Sequence, residues 1–126
     1  MVWDGQERRR FPRFPSSLVE YFPIEEGITS IKTSFTENIC PVGISLLVDE
    51  EIKINTLLSL KIYLPGSKDV IEAKGRVVWT RLSSFLSREK RKHYDLGIEF
   101  VEIDESDRKR IWQYVLEHII KDQNFK

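Results

Sequence analysis

The sequence predicts a mainly β protein: a small six-stranded antiparallel barrel with a basic N-terminal arm and a C-terminal α-helix. Three observations predict it. Apolar residues recur at every second position in about six separate runs between Ser17 and Ile103. The period then changes to that of a helix after Asp104. The chain has 126 residues, enough for one domain and one core, and a six-stranded sheet of that size has two edges to hide, which closure into a barrel removes.

Residues 1–14 read as a flexible arm that is polar, basic and marked by proline. Phe11 and Phe14 each precede a proline, which disfavours helix, and Pro12 and Pro15 stiffen the path. Residues 15–126 form the barrel and its helix. The first run, Leu18 to Ile24, contains Pro23, as a strand end does. In the second, Ile31, Thr33 and Phe35 alternate with Lys32, Ser34 and Thr36, and the former set is expected on the dry face. "NICPVG", 38–43, is a turn, and "ISLLV" after it is a buried strand. Leu58, Leu60, Ile62 and Leu64 alternate next and end at Pro65-Gly66, a strong turn. Ile71, Ala73, Val77 and Trp79 share one side of the fifth run, which places Trp79 in the core. "LSSFLSREKRK", 82–92, is a long basic loop. Tyr94, Leu96, Ile98 and Phe100 form the last strand, with Asp95, Gly97 and Glu99 on its wet side. Asp104 is a good N-cap, acidic residues fill the first helical turn, and Ile111, Trp112, Val115, Leu116, Ile119 and Ile120 make an apolar stripe. That stripe can serve the core alone or a dimer as well, so the oligomeric state is open.

Composition narrows the function. Hydrophobic residues are 40% and charged residues 32%, which is globular chemistry. Twenty basic residues balance twenty acidic ones, so an anion site must be local and a general nucleic-acid binder is disfavoured. Aromatics are not interleaved with basic residues along the strands, as a single-strand binder requires. No run is long and apolar enough to cross a membrane, and residues 1–10 lack the apolar stretch of a signal peptide; with a single cysteine, Cys40, a cytoplasmic location and no membrane insertion are expected. His93 and His118 sit in no ligand pattern, so no metal is expected. Phosphate-binding glycine loops are absent, Cys40 has no nucleophile partner, and no cofactor or enzyme activity is expected.

The candidate for a local anion site is "ERRRFPRFP", 7–15, which on charge alone reads first as a solvated basic tail. Arg9 and Arg13 are four apart, ~13 Å in an extended chain and closer in a turn. Two guanidiniums at that range can grip two faces of one dianion, and their forked donors also match O6 and N7 of guanine. Arg9-Arg10-Phe11-Pro12-Arg13 fits the R-x-x-x-R motif of the PilZ domain, and Asn38-Ile39-Cys40-Pro41-Val42-Gly43 fits two of the three fixed positions of its [D/N]-x-S-x-x-G motif. "GISLLVDEEI", "GRVVW" and "YDLGIEF" are similar to the family's strands. The chain therefore resembles a PilZ domain, the bacterial receptor module for cyclic di-GMP, from about Glu7 to about Glu117.

The resemblance implies a cyclic di-GMP receptor in second-messenger signalling that acts through an unidentified downstream protein. Arg9 and Arg13 would clasp guanines and phosphates, Asn38 would meet a guanine edge, and Gly43 would permit a tight backbone and close ligand approach. Arg8 and Arg10 match no fixed position and add charge. Cys40 stands where the family has serine; its thiol is the poorer hydrogen-bonding group, a loss of about 1 kcal/mol or near tenfold in affinity. The alternative is a degenerate PilZ-like adaptor that binds a protein without nucleotide.

Overall fold

The computed structural model describes residues 16–83 and 91–123, with side chains as far as residue 118. The strands are β1 (Leu18–Pro23), β2 (Lys32–Cys40), β3 (Gly43–Val48), β4 (Leu57–Tyr63), β5 (Ile71–Leu82) and β6 (Tyr94–Ile103), followed by the helix α1 (Glu105–Gln123). A single 3-10 turn, Ile28–Ser30, lies between β1 and β2. All pairings are antiparallel, and the strands close in the order β1-β2-β3-β6-β5-β4, with β1 paired to β4. Parts of the expected basic loop, 84–90, and the whole expected arm, 1–14, fall outside the described residues.

Alternation fills the barrel. Val19 and Tyr21 from β1, Ile44 and Leu46 from β3, Leu58, Leu60 and Ile62 from β4, Ile71 and Val77 from β5, and Leu96 and Ile98 from β6 are all nearly inaccessible. Each such aliphatic side chain contributes about 1.5–3 kcal/mol of burial free energy. Pro65 and Gly66 make the β4–β5 turn as expected: Gly66 has φ 77°, and the Ser67 N–H donates to the Leu64 carbonyl at 3.1 Å.

Two expected faces are corrected. In β2 the set Ile31, Thr33 and Phe35 points outward, and Phe35 is 58% exposed. Phe35 pairs with Leu18, whereas the core residue Val19 faces Ser34. A bulge between Thr36 and Asn38 then inserts Glu37, so that Thr36 and Ile39, three apart, are both buried. Simple alternation cannot register that insertion. On α1, Ile111, Tyr114 and Val115 are buried while Trp112 is 51% exposed and Leu116 is 37% exposed. The inward stripe is 111, 114 and 115, so Trp112 and Leu116 sit about one residue's rotation, ~100°, away from it. The side chains of Ile119 and Ile120 lie outside the described residues.

Asp104 precedes the helix as expected. Its carbonyl accepts from the N–H groups of Asp107 and Arg108, both at 3.0 Å, and its carboxylate accepts from the Ser106 hydroxyl at 2.6 Å. Arg110 ties the helix to the β4–β5 turn by donating to the Ser67 hydroxyl and the Asp69 carbonyl.

Candidate functional site

The asparagine-to-glycine motif is the β2–β3 hairpin. Cys40 pairs with Gly43, and only Pro41 and Val42 lie between the two strands. The hairpin is fastened on both sides. The Phe100 N–H donates to the Val42 carbonyl at 2.9 Å, and Arg108 Nη1 of α1 donates to the Pro41 carbonyl at 3.0 Å. Gly43 is required by its neighbour strand: a Cβ there would stand 2.2 Å from the Ile98 carbonyl oxygen. The tight backbone expected at Gly43 is thus a close approach of β6 to β3. Beside the hairpin lies an open cleft of about 290 Å³, lined by Val42, Gly43, Val78, Ile98, Glu99, Phe100 and Arg108.

The pairing registers define which residues share the outer surface. Asn38, Ser45, Gly97 and Trp79 form one row across β2, β3, β6 and β5. At ~4.8 Å per strand the row spans about 14 Å. Cys40, Gly43, Glu99 and Arg76 form the next row, and Leu47, Asp95 and Arg81 form the row on the other side. Asn38, Cys40 and Gly43 are therefore brought to one face. Asn38 is half-buried, and its amide nitrogen is buried without a hydrogen-bond partner among the described residues.

Trp79 is the correction with most bearing on function. A bulge between Val77 and Trp79 inserts Val78 into β5, so Val77 enters the core and Trp79 turns to the outside. There the indole lies against Gly97: a Cβ on Gly97 would be 2.0 Å from Nε1 and 2.1 Å from Cε2. Glycine at position 97 is what seats the ring. The Arg81 guanidinium carbon is over the same ring, 5.4 Å from its centroid. Arg81 Nε in turn donates to Asp95 Oδ2 at 3.2 Å. The Asp95 side chain is only 3% exposed although it points outward.

Sequence reasoning alone does not single out Arg81 or Asp95. The available signal is an arginine two positions after a tryptophan on one strand, and an aspartate near the start of another. Cys40 is half-buried at the end of β2. Burial pushes its thiol above its ordinary value, and hydrogen bonds from the Val42 and Gly43 backbone partly offset this. The thiol is thus protonated at neutral pH. The candidate residues Arg8, Arg9, Arg10 and Arg13 lie outside the described residues. Among the described residues no three His, Cys, Asp or Glu side chains are grouped to hold a metal, and no helix is long and apolar enough to cross a membrane.

The model of the family described as PilZ domain matches residues 7–117. A comparison with curated proteins gave no significant match. Among solved structures, the Bacillus subtilis inhibitor of motility MotI/DgrA aligns with a TM-score of 0.66 at 21% identity, over 95% of this chain and 53% of that one. The complex of K. pneumonia MrkH with c-di-GMP aligns at 0.70 and 17% identity, over 94% and 55%. The PilZ domain of YcgR from Escherichia coli with c-di-GMP aligns at 0.66 and 8% identity, over 90% and 89%. The chain thus spans just over half the length of the MotI/DgrA and MrkH chains. At these identities the likeness is one of fold.

Proposed function

The chain belongs to the PilZ domain family, and on that premise we propose that it is a cyclic di-GMP receptor that passes its signal to a partner protein. The single observation that carries this reading is the outer face where Asn38, Cys40 and Gly43 meet the row ending at Trp79. That face offers polar groups at one end and an aromatic surface at the other, which suits a ligand with two guanines joined by phosphates. MrkH and the YcgR domain, which share the fold, are described as complexes with this ligand. The matched region begins at residue 7 and so takes in Arg9 and Arg13.

In this reading Arg9 and Arg13 supply the positive charge that meets the ligand. They neutralise the two phosphates and fork onto guanine edges, with Arg8 and Arg10 as accessory charge. Asn38 offers its amide to a base edge. Cys40 and the Val42 and Gly43 backbone hold the hairpin in shape. The N-terminal segment, residues 1–14, closes over the ligand, and the surface so made addresses the partner.

A second reading, the nucleotide-free adaptor, is favoured by one observation: Trp112 and Leu116 are exposed on α1, as a protein-docking face would be. Calorimetric titration of cyclic di-GMP into the wild type and Arg13→Ala separates the two. Receptor function requires a heat for the wild type and its loss in the variant. No wild-type heat at about 100 μM ligand, a weak-binding regime, refutes the receptor and leaves the adaptor.

A further inference from the structure

The β2–β3 hairpin is held from two directions by the carbonyls of its two loop residues. The Phe100 N–H of β6 donates to the Val42 carbonyl at 2.9 Å, and Arg108 Nη1 of α1 donates to the Pro41 carbonyl at 3.0 Å. The two fastenings differ in kind. The first joins backbone to backbone and is as stiff as the sheet. The second runs through a long side chain with a charged donor, near the start of a helix that begins at Glu105. Between them lies the open cleft, whose lining includes Val42, Gly43, Phe100 and Arg108, so the guanidinium has space beside it.

Arg108 is only loosely held by its neighbour on the helix. Its Nε lies 3.3 Å from Glu105 Oε1, about one turn earlier, but the pair is not aligned as a hydrogen bond and Nε is buried without one. The Glu105 side chain is 75% exposed. The guanidinium thus has two arrangements. It can bridge Pro41 and Glu105, or it can be drawn wholly onto Glu105 with the hairpin released. The strut also lies on the side of α1 that carries the exposed Trp112 and Leu116, four and eight residues further on. A change at the hairpin is therefore passed to a side of the helix that a partner can touch.

We propose that Arg108 couples the ligand site to α1. The ligand-bound hairpin is the shape that holds the Arg108 bond, so occupancy at Asn38 to Gly43 tightens the helix, and the bond in turn shapes the hairpin for the ligand. Arg108 acts as a positioning residue, since it meets the hairpin and not the ligand. The coupling is reciprocal: the factor by which the bond improves ligand affinity is the factor by which the ligand stabilises the bond. The inference rests on the receptor reading above and adds the route by which the signal reaches a surface.

The test follows amide hydrogen exchange in α1 without and with saturating cyclic di-GMP, and affinity by calorimetry, on wild type, Arg108→Met, Arg108→Gln and Arg110→Ala. Arg108→Met keeps the apolar stem and deletes the donors, and Arg108→Gln keeps a polar head too short for the hairpin. Arg110→Ala is the control, since Arg110 ties α1 to the β4–β5 turn and not to the hairpin. In the wild type the ligand slows exchange over residues 105–116 of α1. Both Arg108 variants lose that slowing and bind about 5-fold or more weakly, the lower end of allosteric coupling. Arg110→Ala loosens the helix and keeps the ligand-dependent slowing. If Arg108→Met does not fold, Arg108→Gln decides. A merely structural Arg108 raises exchange equally in both states; a ligand-dependent slowing that survives in the Arg108 variants therefore overturns the inference. So does a wild type that binds with no change in α1, or an equal loss of the response in Arg110→Ala. In each of those cases the wild type still binds and the receptor reading stands. Absence of cyclic di-GMP binding to the wild type overturns the receptor reading and this inference with it.

Discussion

Gly43→Ala tests whether the motif glycine is demanded by the barrel itself. A Cβ at position 43 would lie 2.2 Å from the Ile98 carbonyl oxygen and 3.3 Å from Glu99 Cα. An ordinary carbon–oxygen contact is near ~3.3 Å, so β3 and β6 must separate locally by about 1 Å. The obstacle is backbone, and Ile98 is paired on both sides, to Ile44 and to Val77. Rotamer changes therefore cannot relieve the clash. Overpacking of this kind costs about 1–3 kcal/mol, and weakening one or two ladder hydrogen bonds adds about 1 kcal/mol. A total near 3 kcal/mol is a large part of the roughly 5–15 kcal/mol that holds a domain of this size together. With a urea m-value of about 1.5 kcal/mol per M, the midpoint falls by roughly 2 M. Gly66→Ala is the control. Gly66 has φ 77°, and no atom lies within 4 Å of where a methyl group would stand, so only backbone strain of about 1 kcal/mol opposes alanine. A Gly43→Ala midpoint within about 0.3 M of wild type would refute the close-approach argument and return the glycine to a role in ligand contact alone.

Three other outcomes are expected. Ile111→Ala should cost about 2–4 kcal/mol in urea melts because Ile111 is fully buried, while Trp112→Ala, at a half-exposed site, should stay within about 0.5 kcal/mol; the opposite order would restore the helix phase that the sequence pattern suggests. Tyr21 has its hydroxyl pushed up to about 12, first by burial and then by the carboxylates of Asp49 and Glu50. The folded state thus holds this proton more tightly than the unfolded chain, so the contribution is complete below pH 10 and is lost as pH rises from 10 to 12; it amounts to roughly 3 kcal/mol, and melts across that range, absent in Tyr21→Phe, would reveal it. Cys40→Ser should tighten cyclic di-GMP binding by up to about tenfold, because a hydroxyl accepts the hairpin's backbone N–H groups better than a thiol does; equal affinities by calorimetry would remove Cys40 as a determinant.

The strands that alternate cleanly are legible in the sequence. Leu58, Leu60 and Ile62 in β4, and Leu96 and Ile98 in β6, occupy the core positions their spacing implies. Legibility fails where a strand carries an inserted residue. Glu37 in β2 and Val78 in β5 each reverse the face of the residues after them, and a bulge is decided by pairing with a distant strand. The same limit hides part of the site. Alternation alone carries Trp79 into the core beside Val77, and Arg81 and Asp95 come together only when β5 is laid beside β6. The hairpin motif is legible because its residues are local in sequence. Its fastening to α1 by Arg108 is not, since that contact joins residues 67 positions apart.

Closure of the barrel limits how a signal can leave it. Each of the six strands already has two hydrogen-bonded neighbours, so a partner cannot join by adding a strand to an exposed edge. Recognition of the described barrel must run through side chains, on its outer face or on α1. For the partner protein proposed above, specificity would then be written in exposed residues such as Phe35, Trp112 and Leu116, which the fold does not need in its interior. Two proteins with this same barrel can therefore answer one ligand and address different partners by changing a few exposed positions at little cost to stability.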